Sequence, residues 1–248
     1  MKECNKIILN IYKQDFSVTY KKDSSPLTIA DQLSNRHICS YLEKVNIDIE
    51  REIKQQLLII SEENKNAEYE YRKLYNWCWL VDPIDGTKEF IKKNGQFTIN
   101  IGLVHNKIPV FGIVSLPEKN EIYYGIKGIG SFKSCNNNEQ QLFIDKNKMN
   151  KNNINIVASS SHMNKETKKF IQKYNNYKLL NIGSSIKLLY IAENKADIYP
   201  RIGPTYEWDT CAAHAVVKYA GGNVYQFGTQ NQLDYNKKCL LNPYFIVE

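Results

Sequence analysis

The sequence predicts a layered α/β protein, and three observations predict it. Short buried-strand patterns recur along the chain, and helical stripes fall between them. A polar run, "NKMNKNNIN" (147–155), divides a part rich in antiparallel strands from one in which strands and helices alternate. The two parts, residues 1–150 and 151–248, are each of ordinary domain size.

Taken in order, residues 27–45 form a helix. Thr28 stands at its N-cap, and Ile29, Leu33, Tyr41, Leu42 and Val45 give one apolar stripe. "QQLLIIS" (55–61) is a strand that runs into Glu62 and Glu63, and the polar segment 62–76 is a loop. "WCWLV" (77–81) is a buried strand ending at Asp82. "QFTINIGLV" (96–104) and "IPVFGIVSL" (108–116) pair as antiparallel strands, and "EIYYGI" (121–126) continues the meander. Beyond the polar run come a strand at "INIVASS" (154–160), a helix over 164–174 and a strand over 178–182. A helix over 183–194, a short strand at 197–201 and a helix over 207–222 follow, with Gly221 in the stop position of the last.

At 248 residues the chain can bury one large core or two modest ones. Its net charge of +7 sets 33 Lys and Arg against 26 Asp and Glu, and arginine occurs only at Arg36, Arg51, Arg72 and Arg201. The lysines are scattered without an accompanying aromatic stripe. No specific nucleic-acid partner is therefore expected, although the field attracts a small anion. No apolar run reaches the ~20 residues of a membrane helix, so no transmembrane segment is expected. The opening residues are too broken by Lys, Asn and Gln to suggest a secretory signal. The six cysteines lie far apart with no CxxC pair, which suggests reduced thiols and a cytoplasmic setting. Loose attachment to the inner face of the membrane stays open.

The stretch "WLVDPIDGTKEF" (79–90) carries the chemistry. A lone Asp before Pro reads as a capped turn. Here Asp82 and Asp85 flank a turn set by Pro83, which can aim both carboxylates at one point, and the Ile84 carbonyl can join them. Gly86 lets an anion approach the backbone, and Thr87 opens a helix whose free N–H groups favour phosphate. Such a set suits a hard cation beside a phosphate. If Glu62 and Asp209 converge on the pair, four carboxylates share one pocket and cannot all stay ionised without cations. Two magnesium ions neutralise them. A substrate phosphate then calls for a third, weakly held ion or for Lys and Arg. Metal-assisted phosphate hydrolysis is the expected chemistry.

These residues, with "SEE" (61–63) upstream and "WDTCAAH" (208–214) downstream, resemble the inositol monophosphatase superfamily of magnesium-dependent, lithium-sensitive phosphatases. Within it the chain is similar to the bacterial 3′(2′),5′-bisphosphate nucleotidases. "KKDSSPLTIAD" (21–31), "DGTKEFIKKNGQFTINI" (85–101), "GSSIKLLYIAENKADIYPRIGPTYEWDT" (183–210) and "LLNPYF" (240–245) carry that similarity. The resemblance implies an αβαβα layered sandwich, the sugar-phosphatase fold. Its metal site would lie between an N-terminal α+β part and a smaller C-terminal α/β part. The implied magnesium ligands are Glu62, Asp82, the Ile84 carbonyl, Asp85 and Asp209, with Asp82 bridging two ions and Asp209 facing the leaving group. Thr87 and Asp31 are implied as the pair that orients the attacking water, and Glu63 as a carboxylate behind the ligands.

Substrate contacts are expected from Gly86 and Thr87 at the phosphate, and from Ser184, Ser185, Lys187, Arg201 and Asp209 around the remainder. A guanidinium at Arg201, where inositol phosphatases carry a carboxylate, suits a second phosphate. The implied reaction removes the 3′-phosphate of 3′-phosphoadenosine 5′-phosphate to leave AMP, a step tied to sulfur assimilation. 3′-Phosphoadenylyl sulfate is a further substrate of the same kind. Two other readings stand beside it: an inositol or sugar phosphatase of the same superfamily, and a nucleotide- or nucleic-acid-binding protein that has lost catalysis. Monomer and homodimer both fit.

Several residues also have bland readings. Asp31 completes a capping-box pattern with Thr28, and Asp209 sits where a helix favours an acid. The bland reading of Arg201 and Lys187 is surface charge. His214 is expected to pack or to lie near the adenine rather than to act. Relative to the family pattern, the first helix is short at its N-terminus, and an extra stretch lies near "IEREIKQQ" (49–56).

Overall fold

The computed structural model describes residues 1–21, 25–64, 66–145, 153–159 and 163–248. The chain opens with α1 (Lys2–Tyr12), whose Cys4, Ile8 and Tyr12 turn inward at helical spacing. A short hairpin of β1 (Val18–Tyr20) and β2 (Pro26–Thr28) leads into α2 (Ile29–Ile53). Thr28 caps α2 as expected, but the helix runs on until Lys54 ends it in the left-handed region. Most of the stretch read as an insertion is therefore the last turns of α2.

Seven strands then form one sheet in chain order. They are β3 (Leu57–Ser61), β4 (Trp77–Asp85), β5 (Thr98–His105), β6 (Ile108–Leu116), β7 (Glu121–Ile126), β8 (Gly130–Cys135) and β9 (Asn138–Leu142). β3 and β4 are parallel, and the other neighbours are antiparallel. Two short helices interrupt the sequence. The single turn of α3 (Tyr69–Arg72) lies in the segment expected to be loop, and α4 (Thr87–Ile91) begins at Thr87 as expected. β8 and β9 extend the meander past its expected end. β9 is exposed at all positions but Leu142, so it has no apolar alternation to read.

The remainder supplies β10 (Ile154–Ser159), α5 (Lys165–Ile171), β11 (Tyr177–Ile182), α6 (Ile186–Ala192), β12 (Tyr199–Arg201), α7 (Glu207–Tyr219), β13 (Val224–Gln226) and β14 (Phe245–Val247). β10 and β11 run parallel, while β14 sits between β12 and β13. An Ile156–Ile198 bridge joins the two groups into a second β layer. α1 and α2 cover one face of the large sheet. α6 and α7 lie between that sheet and the second layer, and α5 packs against β12. This is the αβαβα sandwich that the sequence predicts.

One apolar cluster runs from Ile60, Leu80 and Val114 to Leu188, Val216 and Phe245. A division at residue 150 thus separates sheets but not cores, and residues 147–152 of its expected boundary lie outside the described residues. α7 sits close on the sheet because Gly102, Gly112 and Gly125 are paired neighbours across β5, β6 and β7. A Cβ on Gly112 would lie 2.2 Å from the Ala212 carbonyl oxygen. Among the described residues, no helix is long and apolar enough to cross a membrane.

Candidate active site

The ends of β3 and β4 build the site. The parallel register sets Ser61 beside Val81, so Glu62 follows on level with Asp82. Pro83 has no N–H to give the ladder, and the pairing of β4 with β5 shifts between Asp82 and Asp85. Asp82 Oδ1 steadies the resulting turn by accepting the Ile84 N–H at 3.0 Å. From the opposite side, α7 delivers Asp209. One carboxylate oxygen each from Glu62, Asp82 and Asp209 lie within 4.8 Å of one another.

Asp85 stands beside this triple rather than in it. Its Oδ2 accepts the Ser185 N–H and faces the Thr98 hydroxyl at 3.5 Å. Ser185 in turn donates to Asn100 Oδ1 at 2.8 Å. Ser185 is buried, and its main role in the structure is to hold Asp85. Gly86 turns with φ +92°, and a Cβ there would meet the Gln96 carbonyl oxygen at 3.0 Å.

Asp31 and Asp209 each engage a cap with one carboxylate oxygen. Asp31 Oδ2 accepts the Thr28 N–H at 2.8 Å and its hydroxyl at 2.6 Å, closing the capping box. Its Oδ1 is left to face the Thr87 hydroxyl at 3.3 Å. Asp209 Oδ2 likewise accepts the Tyr206 N–H at 2.9 Å.

The charges are crowded. Burial, then Glu62, Asp85 and Asp209, push the Asp82 carboxyl well above the usual carboxylate range. Burial, then Asp85 and Glu62, do the same to Asp209. Asp85 is pushed up to about 6 by burial, against the pull of Lys187. Only oxygen donors converge here, and their charges repel. The residues therefore fit a hard divalent cation, with Glu62, Asp82 and Asp209 as its holders and Asp85 and the Ile84 carbonyl alongside.

This crowding predicts a pH response. Carboxyls raised in the folded state bind more protons folded than unfolded between ~4 and the folded value, so stability rises as pH falls through that window. The melting temperature of the metal-free protein is expected to rise from about pH 7.5 to about pH 5.5, and magnesium to flatten the slope. Thermal melts in EDTA and in magnesium measure this. A flat profile without metal would show that the carboxylates do not repel.

A cavity of about 480 Å³ opens over the cluster, and nearly every expected site residue lines it: Glu62, Asp82, Ile84, Asp85, Gly86, Thr87, Ser184, Ser185, Lys187, Arg201 and Asp209. Asp31 reaches it through Thr87. Glu63 is bound to Lys21, whose ammonium also meets Glu62, at 2.6 and 2.7 Å respectively. Lys187 is 4% exposed rather than a surface charge, and its Nζ donates to the Ile182 and Ser184 carbonyls. Burial lowers it to about 8, with Asp85 pulling the other way. Arg201 Nη2 donates to the Pro204 carbonyl at 2.7 Å, whereas its Nε is buried with no hydrogen-bond partner among the described residues.

Residues 1–247 match the inositol monophosphatase family. The chain belongs to this family. It is 36% identical over 243 residues to the 3′(2′),5′-bisphosphate nucleotidase CysQ of Escherichia coli (strain K12), covering 97% of this chain and 93% of the relative. The CysQ of Buchnera aphidicola is 37% identical over 92% of this chain and 82% of its own. The crystal structure of CysQ from Bacteroides thetaiotaomicron superposes with a TM-score of 0.83 at 38% identity, covering 99% of this chain and 92% of that one. An IMPase/NADP phosphatase complexed with Mg2+ and phosphate shares the fold at a TM-score of 0.76 and 18% identity, over 99% of this chain and 86% of that one.

His214 packs, the first of its two expected readings. It is wholly buried, bonded to Tyr235 at 2.9 Å and Gln232 at 3.2 Å, and lowered to about 3 by burial, a neutral core histidine. Lys21, Glu89, Thr98 and Asn100 were not anticipated. Glu89 lines the cavity between Gly86 and Gly183. Thr98 and Asn100 alternate with isoleucines on β5 and form the buried polar network behind Asp85.

Proposed function

We propose that the chain is a magnesium-dependent phosphatase that removes the 3′-phosphate of 3′-phosphoadenosine 5′-phosphate, leaving AMP. The observation that supports it best is that the carboxylate triple shares one cavity with the buried Nε of Arg201, which has no partner among the described residues. A buried guanidinium donor without an acceptor suits a second phosphate, whereas inositol hydroxyls call for a carboxylate. The similarity to CysQ nucleotidases supports the same substrate. Two magnesium ions fit the charge of the carboxylates.

When bound, magnesium supplies positive charge to the phosphate oxygens and acidifies a water. The chain's own residues do the rest. Thr87 Oγ1 can take the proton of the attacking water as it passes its own to Asp31 Oδ1. Burial raises Asp31, which makes it the better acceptor. Its capped second oxygen fixes which oxygen accepts. Asp209, held at the start of α7, faces the leaving 3′-oxygen. Gly86 and Thr87 open α4 toward the phosphate that is cleaved.

Phosphate release from the bisphosphate, an inositol phosphate and a fructose bisphosphate, with magnesium and with or without lithium, tests the reading. The nucleotide is expected to turn over fastest, and preference for inositol phosphate would sink it. Arg201→Ala is expected to raise KM for the bisphosphate by about 10- to 100-fold, the worth of hydrogen bonds to a charged group. The inositol phosphate should feel little of this. Equal losses on both substrates would remove Arg201 from the second phosphate.

A further inference from the structure

The loop between Arg201 and Asp209 presents a surface that hydrolysis itself does not use. The Tyr206 ring is stacked on Trp208 with centroids 4.9 Å apart and planes 11° from parallel. Trp208 is 8% exposed and belongs to the core, whereas Tyr206 is 43% exposed. An indole thus backs one face of the phenol ring, and the side chain stays open to solvent. Both rings line the cavity that holds the carboxylates and Arg201.

The platform is also fixed in place. Asn242 Nδ2 donates to the Tyr206 carbonyl at 2.8 Å, and the Glu207 N–H donates to the Leu240 carbonyl at 2.9 Å. The Tyr206 N–H is the group that caps Asp209. Arg201 is tied to the same loop through Pro204. A flat apolar surface, a guanidinium and a metal-binding carboxylate are therefore held by one short, bonded segment. A substrate that satisfies all three carries a planar ring system as well as two phosphates. Sugar and inositol phosphates offer the anions but no flat face to stack.

We propose that Tyr206 is the stacking platform for the nucleobase of the substrate, and that it sets the preference for a nucleotide over a base-less sugar phosphate. This rests on the bisphosphate nucleotidase reading above. Base–aromatic stacking predicts that Tyr206→Ala raises KM for 3′-phosphoadenosine 5′-phosphate by about tenfold. The kcat should stay within about twofold, because the side chain touches no reacting atom. KM for ribose 3,5-bisphosphate, which lacks the base, should not move. Tyr206→Phe should behave as wild type and match its melting temperature, whereas Tyr206→Ala, which uncovers Trp208, should melt a few degrees lower and still be fully folded at the assay temperature. Calorimetry with AMP and ribose 5-phosphate should show the same selective loss. If Tyr206→Ala weakens both substrates alike, or neither, while the wild type cleaves the nucleotide, the platform alone is overturned. A wild type that releases no phosphate from the nucleotide overturns the reaction and the platform together.

Discussion

Asp82→Asn is expected to abolish turnover and, at the same time, to raise the melting temperature of the metal-free protein. Asp82 is 1% exposed and sits against the charges of Glu62, Asp85 and Asp209. A buried carboxylate kept for stability would be paired with a cation. Among the described residues this one accepts only the Ile84 N–H, a bond that the asparagine oxygen can keep. Replacing charge with amide at equal volume therefore removes repulsion and leaves packing intact. The gain should be on the order of 2–6 °C for a chain of this size. Activity should fall by about 10³-fold or more if, as proposed, this carboxylate holds the cation. Magnesium should also stop raising the melting temperature, since its stabilisation requires binding to the native state. Melts of both proteins with EDTA and with magnesium, beside kcat, make the test. A metal-free variant that melts below wild type, yet still responds to magnesium, would show Asp82 to be structural.

The same electrostatics explains what could be read from the chain. A strand that buries Leu80 and Val81 and then places two aspartates around Pro83 breaks the usual pattern, and breaks of that kind mark function. The Thr28–Asp31 pattern was legible as a cap and, by resemblance, as catalysis. Only the structure shows that the cap uses one oxygen of the carboxylate and leaves the other facing Thr87. Lys21 was not legible, because a lysine in a polar loop has no signature until Glu62 and Glu63 are found beside it. These two acids hold the Lys21 ammonium above its ordinary range, although burial alone would lower it. Thr98 and Asn100 were hidden for another reason. Alternating polar residues on a strand suggest a solvent face, but α6 and α7 cover that face of the sheet. The far end of α2 escaped because its last turns carry a mixed charged sequence and no apolar stripe as clear as that of residues 27–45.

Gly112→Ala is expected to cost more stability than any other single methyl group on the sheet. Its Cβ would stand 2.2 Å from the Ala212 carbonyl oxygen and 2.8 Å from the Ala212 Cα. Both are backbone atoms of α7, so no rotamer change relieves the clash. Gly102 and Gly125, its partners across β5 and β7, would meet Cys211 Sγ at 2.6 Å and the Ala215 carbonyl oxygen at 2.5 Å, so the helix cannot slide along the stripe. It must lift. Overpacking of this kind costs about 3 kcal/mol, which corresponds to a fall on the order of 6–12 °C in melting temperature. The second consequence is chemical. α7 carries Asp209 in its first turn, and lifting the helix draws that carboxylate away from Glu62 and Asp82. A misplacement near 1 Å can cost roughly 10²-fold in rate. The variant should therefore lose kcat even at temperatures where it is fully folded, and should need more magnesium to reach it. Gly203→Ala serves as the control for stability, because among the described residues its Cβ meets nothing closer than Asn164 Nδ2 at 4.0 Å. Should Gly112→Ala melt with the control and keep its magnesium requirement, the glycine stripe does not set the height of α7, and Asp209 owes its position to the Tyr206 cap alone.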